Sequence, residues 1–453
     1  MEYIAAFLVT ILCGSLGFCG LHLVQDLHER ALLLRLFFVA FILRITFTVL
    51  CYETGIINVL GNMDDTIWMS CWARSQQWQV SGPESLWTIL GAKVIRSNPG
   101  FGYFATYFYY LLDMRSQMAL ACLNCFLNAL TVVLIYKTAR EFFSEKACTF
   151  VAWAAAFMPA FLIWSALTIK ETWLILIEIT TLFIVLRFSR QRTITRLLYI
   201  PLTIALILLA LSLRFYVASF LVAGILVSSI SYRSQKPWRA AGFGLADIIL
   251  LGILFNGLGV VRFDPASMAQ SQIQELTQFR DNLADPRFGG ASSVRLGYDT
   301  TTLSGAAMML LVGSFYLLLS PFPWEIVSGR QIFALPDVLL WWVLVFAFVL
   351  PGIRYAWQRQ PALLISLAAF VLPLLLFYAM MFGNVGLAYR QRAQLMPFLL
   401  ILAAAGYESR QRLTGRREVH QSARKLLRLI ALQHSSESPA YHPPARGPRF
   451  NRY

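Results

Sequence analysis

Two carboxylates stand side by side in the stretch Gly61-Asn62-Met63-Asp64-Asp65-Thr66-Ile67-Trp68. Neighbouring carboxylates repel each other, which favours one taking up a proton and leaves a pair suited to general-base work or to holding a cation. The plain alternative is a solvated turn headed by Gly61-Asn62. A second group, Leu167-Thr168-Ile169-Lys170-Glu171-Thr172, forms a very short link between two strongly apolar stretches. Lys170 there is either a phosphate ligand at the lipid boundary or half of an ion pair that caps a helix, Glu171 facing the positive end of the helix dipole. A third group is Ala388-Tyr389-Arg390-Gln391-Arg392, and Arg214 in Leu213-Arg214-Phe215-Tyr216 lies at another turn of the same kind. Guanidinium forks match phosphate oxygens. Taken singly, each arginine fits snorkelling to lipid headgroups better than ligand binding, so convergence of several is the feature that distinguishes a site.

These residues interrupt a sequence of 453 residues that is 58% hydrophobic and 13% charged, where soluble domains run at about 25% charged. Apolar stretches of roughly 17 to 25 residues recur, the length a helix needs to cross the hydrocarbon core, and only helices or closed barrels satisfy their backbone there. The spans read as Tyr3 to Val24, Ala31 to Tyr52, Met118 to Tyr136, Cys148 to Leu167, Thr172 to Leu186, Leu197 to Leu213, Phe215 to Tyr232, Ala240 to Val261, Val338 to Gly352, Pro361 to Gly383 and Leu395 to Tyr407. The expected fold is an all-α polytopic membrane protein of about eleven transmembrane helices. Phe101 to Leu112 and Ala306 to Leu319 are shorter and read as half-helices or interfacial helices under long loops.

Lys and Arg collect in alternate connections: Lys137, Arg140 and Lys146; Arg187, Arg190, Arg192 and Arg196; Arg233, Lys236 and Arg239; Arg354 and Arg359. Cytoplasmic loops retain such charge, so these connections and the basic tail from Glu408 onward are expected inside, and the N-terminus and the loops 53–100 and 262–305 outside. The division is then a membrane domain over 1–407 and a cytoplasmic tail over 408–453, partly disordered, whose segment Ser422 to Leu432 is either a headgroup-binding or a solvated amphipathic helix. Topology accounts for most of the net charge of +15, and no nucleic-acid motif accompanies it. The first apolar stretch has no basic n-region or small-residue cleavage site and reads as a retained span. The seven cysteines lie nearly all within spans, so no disulfide framework is expected. Arg35, Arg44, Glu178 and Asp247 are ionisable at membrane depth and call for partners.

The order of these features resembles the polytopic membrane glycosyltransferases of the GT-C superfamily, in the bacterial branch akin to family 39 and the protein mannosyltransferases. The resemblance covers most of Ala31 to Tyr407. It rests on Asp64-Asp65-Thr66-Ile67-Trp68, with Trp where Tyr is usual, on Asn98-Pro99-Gly100-Phe101-Gly102-Tyr103, and on Tyr136-Lys137-Thr138-Ala139-Arg140-Glu141-Phe142-Phe143. It continues through Pro159, Leu167-Thr168-Ile169-Lys170-Glu171, Leu213-Arg214-Phe215-Tyr216, Ser320-Pro321-Phe322-Pro323-Trp324, and Gly383-Asn384 with Tyr389-Arg390-Gln391-Arg392. What it implies is sugar transfer from a polyprenyl-phosphate donor to a glycan or lipid-linked acceptor at the outer face of the cytoplasmic membrane, in surface polysaccharide or glycoconjugate assembly. Asp64 or Asp65 would be the base, Lys170, Arg214, Tyr389, Arg390 and Arg392 would hold the lipid phosphate, and Glu171 would orient them. A divalent cation is compatible with the carboxylate pair, without a dedicated ligand set.

Two other classes fit parts of the pattern. A polysaccharide polymerase or ligase would use Arg262, Arg280, Arg287 and Arg295 of the second long loop. A transporter or flippase of lipid-linked sugars would show internal repeats and helices broken near midplane; Gly and Pro do interrupt spans, but no repeat is visible.

Overall fold

The computed structural model describes residues 2–60, 66–84, 100–188, 193–233, 280–282, 284–285, 292–299, 302–327 and 329–436. The expected span Ala240 to Val261 with Asp247, the loop arginines Arg262 and Arg287, and both carboxylates Asp64 and Asp65 lie outside the described residues. The chain divides into two compact units, Met1–Tyr407 and Glu408–Tyr453.

The protein is an all-α polytopic membrane protein. Its helices are α1 (Glu2–His22), α2 (Leu27–Glu53), α3 (Ile56–Leu60), α4 (Ile67–Ser81), α5 (Gly100–Leu112), α6 (Gln117–Arg140), α7 (Glu145–Phe157), α8 (Pro159–Ala166) and α9 (Glu171–Phe188). They continue as α10 (Thr193–Leu213), α11 (Phe215–Arg233), α12 (Leu303–Leu319), α13 (Gly329–Leu344), α14 (Leu350–Arg359), α15 (Pro361–Met380) and α16 (Val385–Ser436), with a π-helical turn at Val345–Val349 joining α13 to α14. Among the described residues six stretches are long and apolar enough to cross a membrane: Glu2–His22, Leu27–Glu53, Gln117–Arg140, Phe215–Tyr232, Gln331–Arg359 and Pro361–Met380. The bent pair α7 and α8 is a seventh.

Contacts between helix termini sort the connections to two ends of this unit. At one end His28 meets Glu145 (2.9 Å), Lys137 meets Glu29 (2.9 Å), Arg187 meets Glu141 (3.8 Å), and Gln360 donates to the Phe142 carbonyl (3.2 Å). Asp26 caps α2 here, and the N–H groups of Glu29 and His28 hold its carboxyl below the usual range. At the opposite end Ser116 donates to the Glu2 carbonyl (3.0 Å), and the termini around Glu171, Arg214 and Arg390 gather. Among the described residues the basic connections over 137–146, at Arg187 and at Arg359 and these three residues therefore occupy different ends.

Pro159 explains the expected span Cys148 to Leu167 being bent, by 47°. Proline has no N–H, so the Ala155 carbonyl loses the partner a continuous helix would give it, and the kink also parts Ala160 from Ala156. Side chains from elsewhere complete both bonds. Arg44 of α2 donates to the carbonyls of Ala155 (3.2 Å) and Ala156 (3.1 Å), while Asp337 of α13 accepts the Ala160 N–H (2.8 Å). Arg44 is fully buried and finds oxygen dipoles in place of a carboxylate, including Asn128 Oδ1 (2.8 Å) and the Ala40 carbonyl (2.9 Å). A cation at the carbonyl end of α7 and an anion at the N–H end of α8 are also the signs that the two helix dipoles favour.

Small residues set the closest helix crossings. A Cβ on Gly352 would lie 1.8 Å from the Leu402 carbonyl oxygen, and one on Gly406 would lie 1.9 Å from that of Phe348. Apolar lipid tails give little drive to associate helices, so such backbone approach supplies much of the contact energy.

Candidate active site

Glu171 opens α9 immediately after the link Leu167–Lys170, and side chains of α6 and α9 shape that link. Asn124 Nδ2 donates to the carbonyls of Leu167 (2.8 Å) and Ile169 (3.2 Å), and its Oδ1 accepts from Trp173 Nε1 (2.9 Å). Both N–H donors of that carboxamide are thereby used on the link and its oxygen on the first turn of α9, which fixes where α9 begins. Arg214 sits between α10 and α11, its N–H bonded to the Ala210 carbonyl (2.7 Å), so the guanidinium leaves the chain where two helix ends meet. Arg390 lies in the second turn of α16, whose start is capped by Asn384 Oδ1 on the Leu387 N–H (3.1 Å).

From these three distant parts of the chain one buried cluster forms. Oε1 of Glu171, fully buried, takes both Arg214 Nη2 and Arg390 Nη2 at 2.5 Å. Arg214 Nη1 also donates to the Tyr378 hydroxyl (3.2 Å), which donates onward to Gln394 Oε1 (2.6 Å). Oε2 of Glu171 has no hydrogen-bond partner. Lys170, half-buried, precedes this carboxylate directly. In this cluster Arg214, Arg390 and Lys170 thus stand against the Glu171 carboxylate, in surroundings where charge interactions are several-fold stronger than in water.

Arg392 faces elsewhere. Residues two apart on a helix point about 200° apart, so Arg390 and Arg392 cannot share a face. Arg392 donates to Asp337 Oδ2 (2.9 Å) and to the Ser320 carbonyl (2.7 Å), and its guanidinium lies 4.9 Å from the ring centre of Tyr389, which in turn packs on Trp164 (5.5 Å). With Asp337 also holding the start of α8, this pair ties α16, α13 and the kinked span together.

The helices of the first long loop abut the same end. Gly100 at the start of α5 admits no side chain, since a Cβ there would be 2.4 Å from Ser212 Oγ, two residues before Arg214. Phe104 packs on Trp173 (4.2 Å), and Trp78 of α4 packs on Tyr107 (4.7 Å) of α5. Trp68, the aromatic residue of the Asp64-Asp65-Thr66-Ile67-Trp68 motif, stands in the first turn of α4 beneath Arg115 (5.6 Å), and Ile67 lies against Gly102.

Residues 96–253, about a third of the chain, match the family model of the dolichyl-phosphate-mannose-protein mannosyltransferases. That family is of the GT-C type, and the match supports GT-C superfamily membership. Membrane glycosyltransferases of that type generally use a prenyl-phosphate-linked sugar. The matched stretch contains Lys170, Glu171 and Arg214. A search of curated proteins finds no match to the chain.

Several polar groups at the site carry no mark in the sequence. Tyr378 and Gln394 lie inside apolar helices, Asn124 in another, and Asp337 follows Pro336 just before a long apolar run. Glu178, seven residues below Glu171 in α9, is fully buried, and neither of its oxygens has a hydrogen-bond partner. Among the described residues no group of three or more His, Cys, Asp or Glu gathers as a metal site requires.

Proposed function

We propose that the chain transfers a sugar from a polyprenyl-phosphate donor to a glycan or lipid-linked acceptor at the outer face of the cytoplasmic membrane, in surface polysaccharide or glycoconjugate assembly. The observation that carries this reading is the sharing of Glu171 by Arg214 and Arg390, at the end of the membrane unit opposite the basic connections. A carboxylate that holds two guanidiniums side by side presents them as a paired fork, the arrangement suited to the oxygens of a lipid phosphate. As the glycosidic bond to that phosphate breaks, negative charge grows on the leaving oxygen, and cations already in place stabilise it without reorganisation. Lys170 adds a third positive charge. Tyr378 and Glu171 are positioning residues, acting through Arg214 and Arg390. Arg392 and Tyr389 act one step further out, holding α16 against α13.

The base in this reading is Asp64 or Asp65. Asp65 directly precedes Thr66, and α4, which starts at Ile67, packs through α5 against Ser212 and Trp173. Basic connections at the other end then face the cytoplasm, with the N-terminus outside and the tail from Glu408 inside.

The experiment is transfer of labelled sugar from polyprenyl-phosphate donors by the purified full-length protein in liposomes. Asp64→Asn or Asp65→Asn is expected to abolish transfer while leaving donor binding within about twofold of wild type. Undiminished transfer by both variants would reject the base assignment.

A further inference from the structure

Residues 292–299 of the second long loop lie along the turn that launches α16. Val294 N–H donates to the Gly383 carbonyl (2.9 Å), Ser293 pairs antiparallel with Asn384, and Ser292 Oγ donates to Asn384 Oδ1 (3.0 Å). Between this segment, Arg280, Asp281 and Ala284, Met309 of α12 and Phe382 is a cavity of about 270 Å³. Phe382 stands two residues past the end of α15 and four after Tyr378, the hydroxyl bonded to Arg214. The cavity and the cationic cluster thus both draw on the segment from Tyr378 to Phe382, without sharing a lining residue.

Its chemistry differs from that of the cluster. Arg280 and Arg295 are balanced by Asp281 and Asp299, with Arg280 and Asp281 bonded to each other at 2.9 Å. A phosphate would gain from the guanidiniums and lose to the carboxylates, so this lining does not select an anion. Fork donors and carboxylate acceptors set in one small space suit instead a ligand whose groups each donate and accept, which is the property of a hydroxyl. Tyr298 and Phe382 add aromatic surface for the C–H side of such a ligand. The volume equals that of about nine water molecules, room for a single ring and too little for a lipid tail.

We propose that this cavity is a subsite for one neutral sugar ring. The proposal rests on the glycosyl-transfer reading and gives it a second pocket, one for phosphate and one for sugar. The ring comes either from the donor, as the sugar to be transferred, or from the end of a glycan acceptor.

The test is saturation-transfer NMR on the detergent-purified full chain with methyl glycosides of neutral hexoses and pentoses, and a methyl glucuronide as the charged comparison. Wild type is expected to bind at least one neutral glycoside in preference to the glucuronide. The double variant Arg295→Ala with Asp299→Ala, both positions exposed and so tolerant of change, is expected to bind it about tenfold more weakly or worse. If no neutral glycoside binds wild type, or if the variant binds as wild type does, the subsite is refuted. Competition then separates the two sources. A donor sugar predicts displacement by sugar-bearing polyprenyl phosphate and none by the sugarless lipid phosphate, whereas an acceptor ring predicts that both lipids leave the signal intact. Failure of the underlying reading is visible separately, as no binding of sugarless polyprenyl phosphate to wild type.

Discussion

Glu171→Gln, alone and combined with Arg390→Gln, probes the cluster most informatively. The carboxylate receives two charge-assisted hydrogen bonds at 2.5 Å while fully buried. Hydrogen bonds to charged groups contribute about 1.5–3 kcal/mol each. Deleting one partner of a buried pair costs about 3–5 kcal/mol, because the remaining charge stays buried and uncompensated. Glu171→Ala therefore removes a large share of a stability that for whole proteins is of order 5–15 kcal/mol. Glutamine keeps the shape and one acceptor oxygen but not the charge, and neutral bonds have about half the strength of charge-assisted ones, so its expected cost is about 1.5–3 kcal/mol. The assay is unfolding of the purified protein followed with a thiol-reactive dye, for which the buried Cys51, Cys71, Cys122, Cys125 and Cys148 are built-in reporters. Once Arg390 is glutamine, Glu171→Gln leaves only Arg214 uncompensated, so the double variant is expected to lose about 1–3 kcal/mol less than the sum of the single changes. Strict additivity, within about 0.5 kcal/mol, would refute the shared carboxylate.

Other expectations follow from the same contacts. Arg44→Met strips the Ala155 and Ala156 carbonyls of their donors, about 1–3 kcal/mol for each buried group, and Pro159→Ala in the same chain is expected to recover part of the lost melting temperature by returning an N–H to Ala155; no recovery would contradict the account of the kink. Gly352→Ala places a methyl 1.8 Å from the Leu402 oxygen and is expected to lower stability by about 1–3 kcal/mol in the same dye assay, whereas an unchanged melting temperature would mean that this crossing is looser than described. Asn124→Ala frees the link before Glu171 and is expected to raise the KM for donor more than it lowers kcat, which steady-state kinetics resolves.

Apolar runs of membrane-crossing length and the uneven spread of Lys and Arg made the helical architecture legible in the sequence. Lys170, Glu171, Arg214 and Arg390 stood out because each breaks an apolar context. Their meeting was not legible, since no periodicity links positions so far apart in the chain. Arg390 and Arg392 read as one motif, yet helical geometry sends them to different partners, Glu171 and Asp337. Asp337 flanks an apolar run and carries no pattern of its own, and Arg44 calls for partners that prove to be mainly backbone carbonyls. Backbone acceptors carry no residue type, so sequence offers no sign of them. Tyr378, Gln394 and Asn124 were silent for a related reason: in a helix apolar on all sides, one polar residue makes no pattern.

Equilibrium binding of radiolabelled polyprenyl phosphate to the purified protein tests the role given to the cluster most directly. Wild type is expected to bind it, Arg214→Ala and Arg390→Ala each to weaken binding by about tenfold or more while remaining folded, and Arg295→Ala to leave it unchanged. Wild-type affinity in both Arg214→Ala and Arg390→Ala would contradict the assignment of these guanidiniums to the lipid phosphate.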